Sequence, residues 1–116
     1  MNLRLSKESV RFRITRAELE HLLKTGELSE QTSFPGGKTF TYRVLTASQD
    51  ALGLSLEYRD GEILLFAPHF QLHDMHSRPP AKDLGCYQDL FHEEGKPLRV
   101  ALEVDLHGER KIRARV

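Results

Sequence analysis

Residues 9–26 read SVRFRITRAELEHLLKTG, and this stretch combines a strand pattern with the start and end of a helix. In its first third, apolar Val10, Phe12 and Ile14 alternate with charged or polar residues. Alternation with a period of two is typical of a strand that buries one face and exposes the other. The stretch therefore predicts a strand that sends its arginines outward.

The rest of the stretch predicts an amphipathic helix over about residues 16–25. Thr15 and Glu18 have the spacing of a capping box, in which each side chain satisfies a backbone N–H at the start of the helix. Three leucines then form an apolar stripe on one side. Gly26 suits the left-handed conformation that ends many helices.

Outside this stretch the chain is mostly strand, with no visible internal repeat. A short helix is predicted from Pro68 to about His76, between runs of alternating or apolar residues. These runs cover residues 40–44, 52–58, 63–66, 84–91, 97–106 and 112–116. The Asp60-Gly61 dipeptide predicts a tight hairpin turn. We expect an α+β fold, in which one curled antiparallel sheet of about seven or eight short strands has the main helix packed on one face.

Length and composition fit one domain, residues 1–116, with zero net charge. Cys86 is the single cysteine, so no disulfide can form within the chain. Its position among apolar neighbours favours a buried thiol over a reactive one. The N-terminus lacks the pattern of a signal peptide and no apolar run could span a bilayer, so we expect a cytoplasmic protein with no membrane partner.

The arginines form the first candidate site. Residues 1–16 carry a net charge of +4 and residues 109–116 of +3, so the remainder sums to −7. If the terminal strands are neighbours, Arg11, Arg13, Arg113 and Arg115 would form a patch that binds phosphates or carboxylates. The alternative is pairing with acidic residues of the middle. The same strands carry no exposed aromatic residue, which argues against nucleic acid as the partner.

The histidines form the second candidate site. His69, His73 and His76 would lie on one face of the predicted short helix, where they could bind zinc, nickel or copper. The alternative is a helix that simply contains histidines at the surface. No other metal or cofactor motif is present.

A third set lies on the strand at residues 97–106. Glu103 and Asp105, with His107 beyond, share the polar side of this strand and could act as acid and base or coordinate a cation. Polar residues occur on any solvent-facing side, so this pattern does not assign a catalytic residue.

Two segments carry a family resemblance. Residues 2–5 and 9–19, NLRL and SVRFRITRAEL, resemble the opening of a family of small uncharacterised bacterial proteins whose N-termini read like KIRIKGNSIRLRLTKSEV. Residues 98–106, LRVALEVDL, are similar to the family's late strand, LRILVEKDFACL. Val104 replaces a lysine of that strand, and residues 69–76 have no counterpart. The family has no assigned activity, so the resemblance implies relatives and no reaction.

Together these patterns favour a small soluble non-enzymatic protein that acts through binding. We expect it to form a homodimer, because a small core with many strands leaves sheet edges to be covered. A metal-binding protein or metal-dependent enzyme centred on the three histidines is the alternative.

Overall fold

A computed structural model describes residues 1–91 and 95–105. These residues form eight strands and two helices, in the order β1 (Asn2–Leu5), β2 (Ser9–Ile14), α1 (Arg16–Thr25), β3 (Glu27–Ser33), β4 (Thr39–Thr46), β5 (Ser55–Arg59), β6 (Glu62–Ala67), α2 (His69–Ser77), β7 (Gly85–Phe91) and β8 (Pro97–Val104). The predicted strand at 112–116 lies outside the described residues.

The strands form two four-stranded sheets. The first sheet has the order β1-β2-β8-β7 and the second the order β3-β4-β6-β5. The prediction of a single curled antiparallel sheet is therefore wrong, although the α+β class is confirmed. In both sheets the two central strands are parallel, β2 with β8 and β4 with β6. Apolar alternation shows which side of a strand is buried but not which strands are neighbours, so it could not reveal this division.

Helix α1 confirms the predicted capping box and helix end. The Thr15 hydroxyl accepts from the Glu18 N–H at 3.1 Å, and the Glu18 carboxylate accepts from the Thr15 N–H at 2.9 Å. At the other end Gly26 has a φ of 83°, and its N–H donates to the Leu22 carbonyl. Both ends of the helix are thus satisfied locally, as the sequence indicated.

The described residues of both sheets and both helices contribute to one apolar core. Phe12 of the first sheet and Leu65 of the second are fully buried, as are Leu19 of α1 and Leu72 of α2. No charged or polar side chain is buried with them within the described ranges. The helices are too short to cross a bilayer, and no membrane-spanning helix occurs in the described chain.

The two halves of the chain repeat one topology. Strands β1 and β2, helix α1 and strands β3 and β4 correspond in order to β5, β6, α2, β7 and β8. Asn2 pairs with Arg13, and Ser55 pairs with Phe66, each 53 positions later. The hairpins β3–β4 and β7–β8 match in the same way with an offset of 58 positions. The sequence shows no repeat because the correspondence preserves apolar character at inward positions rather than residue identity.

Candidate functional site

The two predicted arginines of β2 lie on the outer face of the first sheet. Val10, Phe12 and Ile14 of the same strand are buried, so alternation sends Arg11 and Arg13 to the opposite side, as predicted. The other two arginines of the predicted patch, Arg113 and Arg115, lie outside the described residues. On one side β2 pairs with β8, which brings Glu103 beside Arg13.

Glu103 is the anionic centre of this face. Arg11 Nη2 donates to both carboxylate oxygens of Glu103 at 3.0 Å, and its Nε donates to Oε1 at 3.2 Å. Arg13 makes a longer contact with the same carboxylate, with its Nη2 3.9 Å from Oε1. The hydrogen bond and charge of Glu103 raise the pKa of Arg11. The pairing that the sequence left as an alternative therefore exists for Arg11.

A third arginine, Arg4 of β1, joins this group. It lies directly opposite Arg11 in the antiparallel β1–β2 pair and is exposed. Within residues 1–91 and 95–105 Arg4 has no ion pair. Arg11 and Arg13 thus approach one carboxylate, that of Glu103, and Arg4 adds a further positive charge on the neighbouring strand.

The same face carries a further cation nearer the edge strand β7. Arg99 of β8 donates to Asp89 of β7 at 3.1 Å, in a pair of which both side chains are largely exposed. Exposed pairs of this kind contribute little to stability because water competes for both charges. We use the name arginine face for the outer face of the first sheet, which carries Arg4, Arg11, Arg13 and Arg99.

Two aromatic side chains share the arginine face. Tyr87 and Phe91 alternate outward on the edge strand β7, with 45% and 74% of their surfaces exposed. The Tyr87 hydroxyl donates to Glu103 at 3.2 Å, and its pKa is raised by burial and by that carboxylate. Sequence patterns did not connect Tyr87 and Phe91 with the arginines, because β7 is far from β2 along the chain. Their outward positions could be read from the alternation of β7, but their sheet partners could not.

A groove of about 700 Å³ adjoins this edge, between α2 and β7. Phe70 and Met75 of α2 line one side, and Cys86 and Tyr87 of β7 line the other. The Tyr87 ring therefore borders both the groove and the arginine face. In the first half of the chain Gly26 alone separates α1 from β3. In the second half the connection between α2 and β7 is longer and comprises residues 78–84.

Cys86 is a poor candidate for a nucleophile. Burial raises the pKa of its thiol to about 12, so the reactive thiolate is scarce at neutral pH. Its backbone neighbour Gly85 is closely packed, since an added Cβ would lie 2.8 Å from the Leu102 carbonyl oxygen. Cys86 is partly buried and packs against the apolar core, so its environment agrees in part with the predicted buried, apolar role.

The predicted short helix is confirmed as α2, and two of its three histidines are close together. The rings of His69 and His73 stack with their centroids 6.3 Å apart. His76 instead faces Glu20 of α1, with Nε2 at 3.4 Å from the carboxylate. Within the described ranges no group of three histidine, cysteine or acidic side chains could hold a metal ion. Nothing in this geometry favours the predicted zinc, nickel or copper site.

The third predicted set is not assembled as a catalytic group in the described chain. Glu103 is engaged by Arg11 and Tyr87. The backbone N–H of Asp105 donates to the Ile14 carbonyl at 2.7 Å and so continues the β2–β8 pairing. His107 lies outside the described residues. The groups at this site that remain as candidates for chemistry are the guanidinium groups of the arginines.

Comparison with known proteins gives one match. The model of a protein family described as a family of unknown function (DUF7009) covers residues 1–110. No curated protein and no solved structure matches the chain.

Proposed function

The chain belongs to this family of unknown function, and we propose that the protein is a non-enzymatic binding protein. Its arginine face holds an anionic ligand. The observation that carries the proposal is a group of three neighbouring arginines, in which Arg11 and Arg13 share Glu103 while Arg4, directly opposite Arg11, has no ion pair within the described chain. Like charges directly opposite each other in a sheet, as in the Arg4–Arg11 pair, are unfavourable without a counter-ion. A bound phosphate or carboxylate would supply that counter-ion.

Two cations are available for such a ligand. Arg4 is exposed and has no ion pair within the described chain, and Arg13 makes only a long contact with Glu103. Guanidinium groups donate two parallel hydrogen bonds to phosphate or carboxylate oxygens, which gives both affinity and orientation. The Glu103 carboxylate, held in place by Arg11, keeps the local positive charge from rising further.

The proposal is tested by calorimetric titration with inorganic tripolyphosphate at pH 7. The double variant Arg4→Ser/Arg13→Ser should lose affinity by about tenfold or more, because hydrogen bonds between charged groups are lost. Glu103→Gln should bind more tightly, because it removes the competing carboxylate. The matched control is Lys38→Ser/Arg59→Ser, which removes the same charge from exposed positions near the second sheet.

The outcomes separate a site from general charge attraction. If the control variant loses as much affinity as the arginine-face variant, or if tripolyphosphate does not bind, the proposal is overturned. If the arginine-face variant alone loses affinity, the proposal is supported.

The predicted homodimer remains part of the proposal. In the described chain each sheet ends in two strands with one unpaired side, β1 and β7 in the first sheet and β3 and β5 in the second. Unpaired edges favour pairing with another chain. Light scattering at micromolar concentration tests this, and a monomer would contradict it. The cytoplasmic location and bacterial origin also stay predictions.

A further inference from the structure

We propose that the anionic ligand is single-stranded nucleic acid, with bases stacked on the aromatic side chains of β7 and the adjoining groove while arginines hold the phosphates. This inference rests on the proposed function of the arginine face and names the ligand class. It also reverses the sequence-based expectation about nucleic acid, since that expectation depended on an absence of aromatics among the basic strands. The first sheet brings Tyr87 and Phe91 to the same face as the arginines.

Three exposed aromatic rings line the path of the proposed ligand. Phe70 in the groove is 57% exposed, beside Tyr87 at 45% and Phe91 at 74%. Exposing large rings to water is unfavourable unless they have a partner. Stacking of bases on aromatic side chains is a sequence-tolerant source of affinity, because every base has a flat face.

The cations lie where phosphates would accompany those bases. Arg99 is bonded to Asp89, which is placed on β7 between Tyr87 and Phe91. Because this ion pair is exposed, a phosphate can replace Asp89 at little cost. On the other side of β8, Arg11 and Arg13 surround Glu103, to which Tyr87 is also bonded. Each aromatic position on β7 therefore has an arginine on the adjacent part of the sheet.

The size of the surface favours a chain of nucleotides over a single nucleotide. Tyr87 and Phe91 are four residues apart along one strand, or about 13 Å. Arg4 and Tyr87 lie on the two edge strands of the sheet, three inter-strand spacings or roughly 14 Å apart. Stacking also requires unpaired bases with free faces, which a duplex offers only at its ends. The geometry thus fits a single strand lying along β7.

The test measures fluorescence anisotropy of a labelled 12-residue oligothymidylate with the full chain. Tyr87→Leu and Phe91→Leu should each weaken binding by about tenfold. The affinity of Phe91→Leu for tripolyphosphate should stay unchanged. Tyr87→Phe should bind the oligonucleotide as the unsubstituted protein does, since it keeps the ring and loses only the hydroxyl bond to Glu103. Tyr58→Leu, which removes an exposed ring from the second sheet, is the matched control.

The two proposals fail in distinguishable ways. If tripolyphosphate binds but the leucine variants bind the oligonucleotide as tightly as the unsubstituted protein, the nucleic-acid inference is overturned and the anion site stands. Equal affinity for the corresponding oligothymidylate–oligoadenylate duplex also overturns it. If neither tripolyphosphate nor the oligonucleotide binds, both proposals are wrong. Ring-dependent binding of the single strand together with arginine-dependent binding of tripolyphosphate supports both.

Discussion

In the first sheet the outward positions of β2 hold Arg11 and Arg13, whereas the corresponding positions of β6 in the second sheet hold Leu64 and Phe66. Glu103 likewise has Leu45 as its counterpart. The inward positions of β2 and β6, in contrast, are apolar in both sheets. One topology therefore carries two different outward faces, and on the second sheet the outward Leu64 is itself buried, whereas Arg11 and Arg13 are partly exposed. The outer face of the first sheet is free to carry charge and aromatic rings.

The two helices also differ in how they begin and end. Helix α1 begins with the Thr15–Glu18 capping box, whereas α2 begins after Pro68 with no side-chain cap. Helix α2 is also followed by the longer connection and the groove. The second half thus keeps the buried helix contacts while its helix ends and surface differ.

The prediction with the largest expected effect tests whether the two halves of the chain unfold as one cooperative unit. Phe12→Ala should lower the free energy of unfolding by about 3–5 kcal/mol and Leu65→Ala by about 2–5 kcal/mol, since each leaves a cavity in the shared core. Urea unfolding followed by circular dichroism should show one transition in both variants, as the single-domain prediction requires. Leu52→Ala, at an 88% exposed position, should leave stability unchanged. Two transitions, each shifted by one variant, would show that the halves unfold separately.

The next prediction concerns Cys86, which occupies the position that Leu28 has in the first half. Burial raises the pKa of the thiol from 9.0 to about 12. At pH 8 the thiolate fraction should therefore be about a thousandfold lower than for a thiol of ordinary pKa, and alkylation by iodoacetamide correspondingly slower. Mass spectrometry of the native and urea-unfolded protein measures the two rates. Equal rates would contradict the burial that Cys86 shares with its counterpart.

The smallest expected effect tests the difference between the helices. Thr15→Ala removes the hydroxyl that caps α1 and should lower the free energy of unfolding by about 1 kcal/mol. Thr32→Ala, at an exposed position of β3, is the control for loss of a threonine hydroxyl. Urea unfolding of both variants provides the comparison. Equal stability of Thr15→Ala and the control would mean that the cap contributes nothing to α1.

Much of the local structure could be predicted from residue patterns. The capping box gave α1 its start, and the Asp60-Gly61 dipeptide does form a turn in which both residues have positive φ. The outward direction of Arg11 and Arg13 followed from alternation. The pairing of Arg11 with Glu103 could not be predicted individually, because 92 positions separate them and only the parallel β2–β8 contact joins them.

The candidate site likewise combines features that local sequence patterns predict with contacts that only the folded chain reveals. The sequence alone determined the two helices, most of the strands and the apolar side of β2 and β8, because these properties depend on neighbours within a few positions. Only the tertiary structure decided that the strands divide into two sheets and that Tyr87 lies on the face that carries the arginines. Such contacts depend on how distant segments pack together around one core, and no local period encodes that choice.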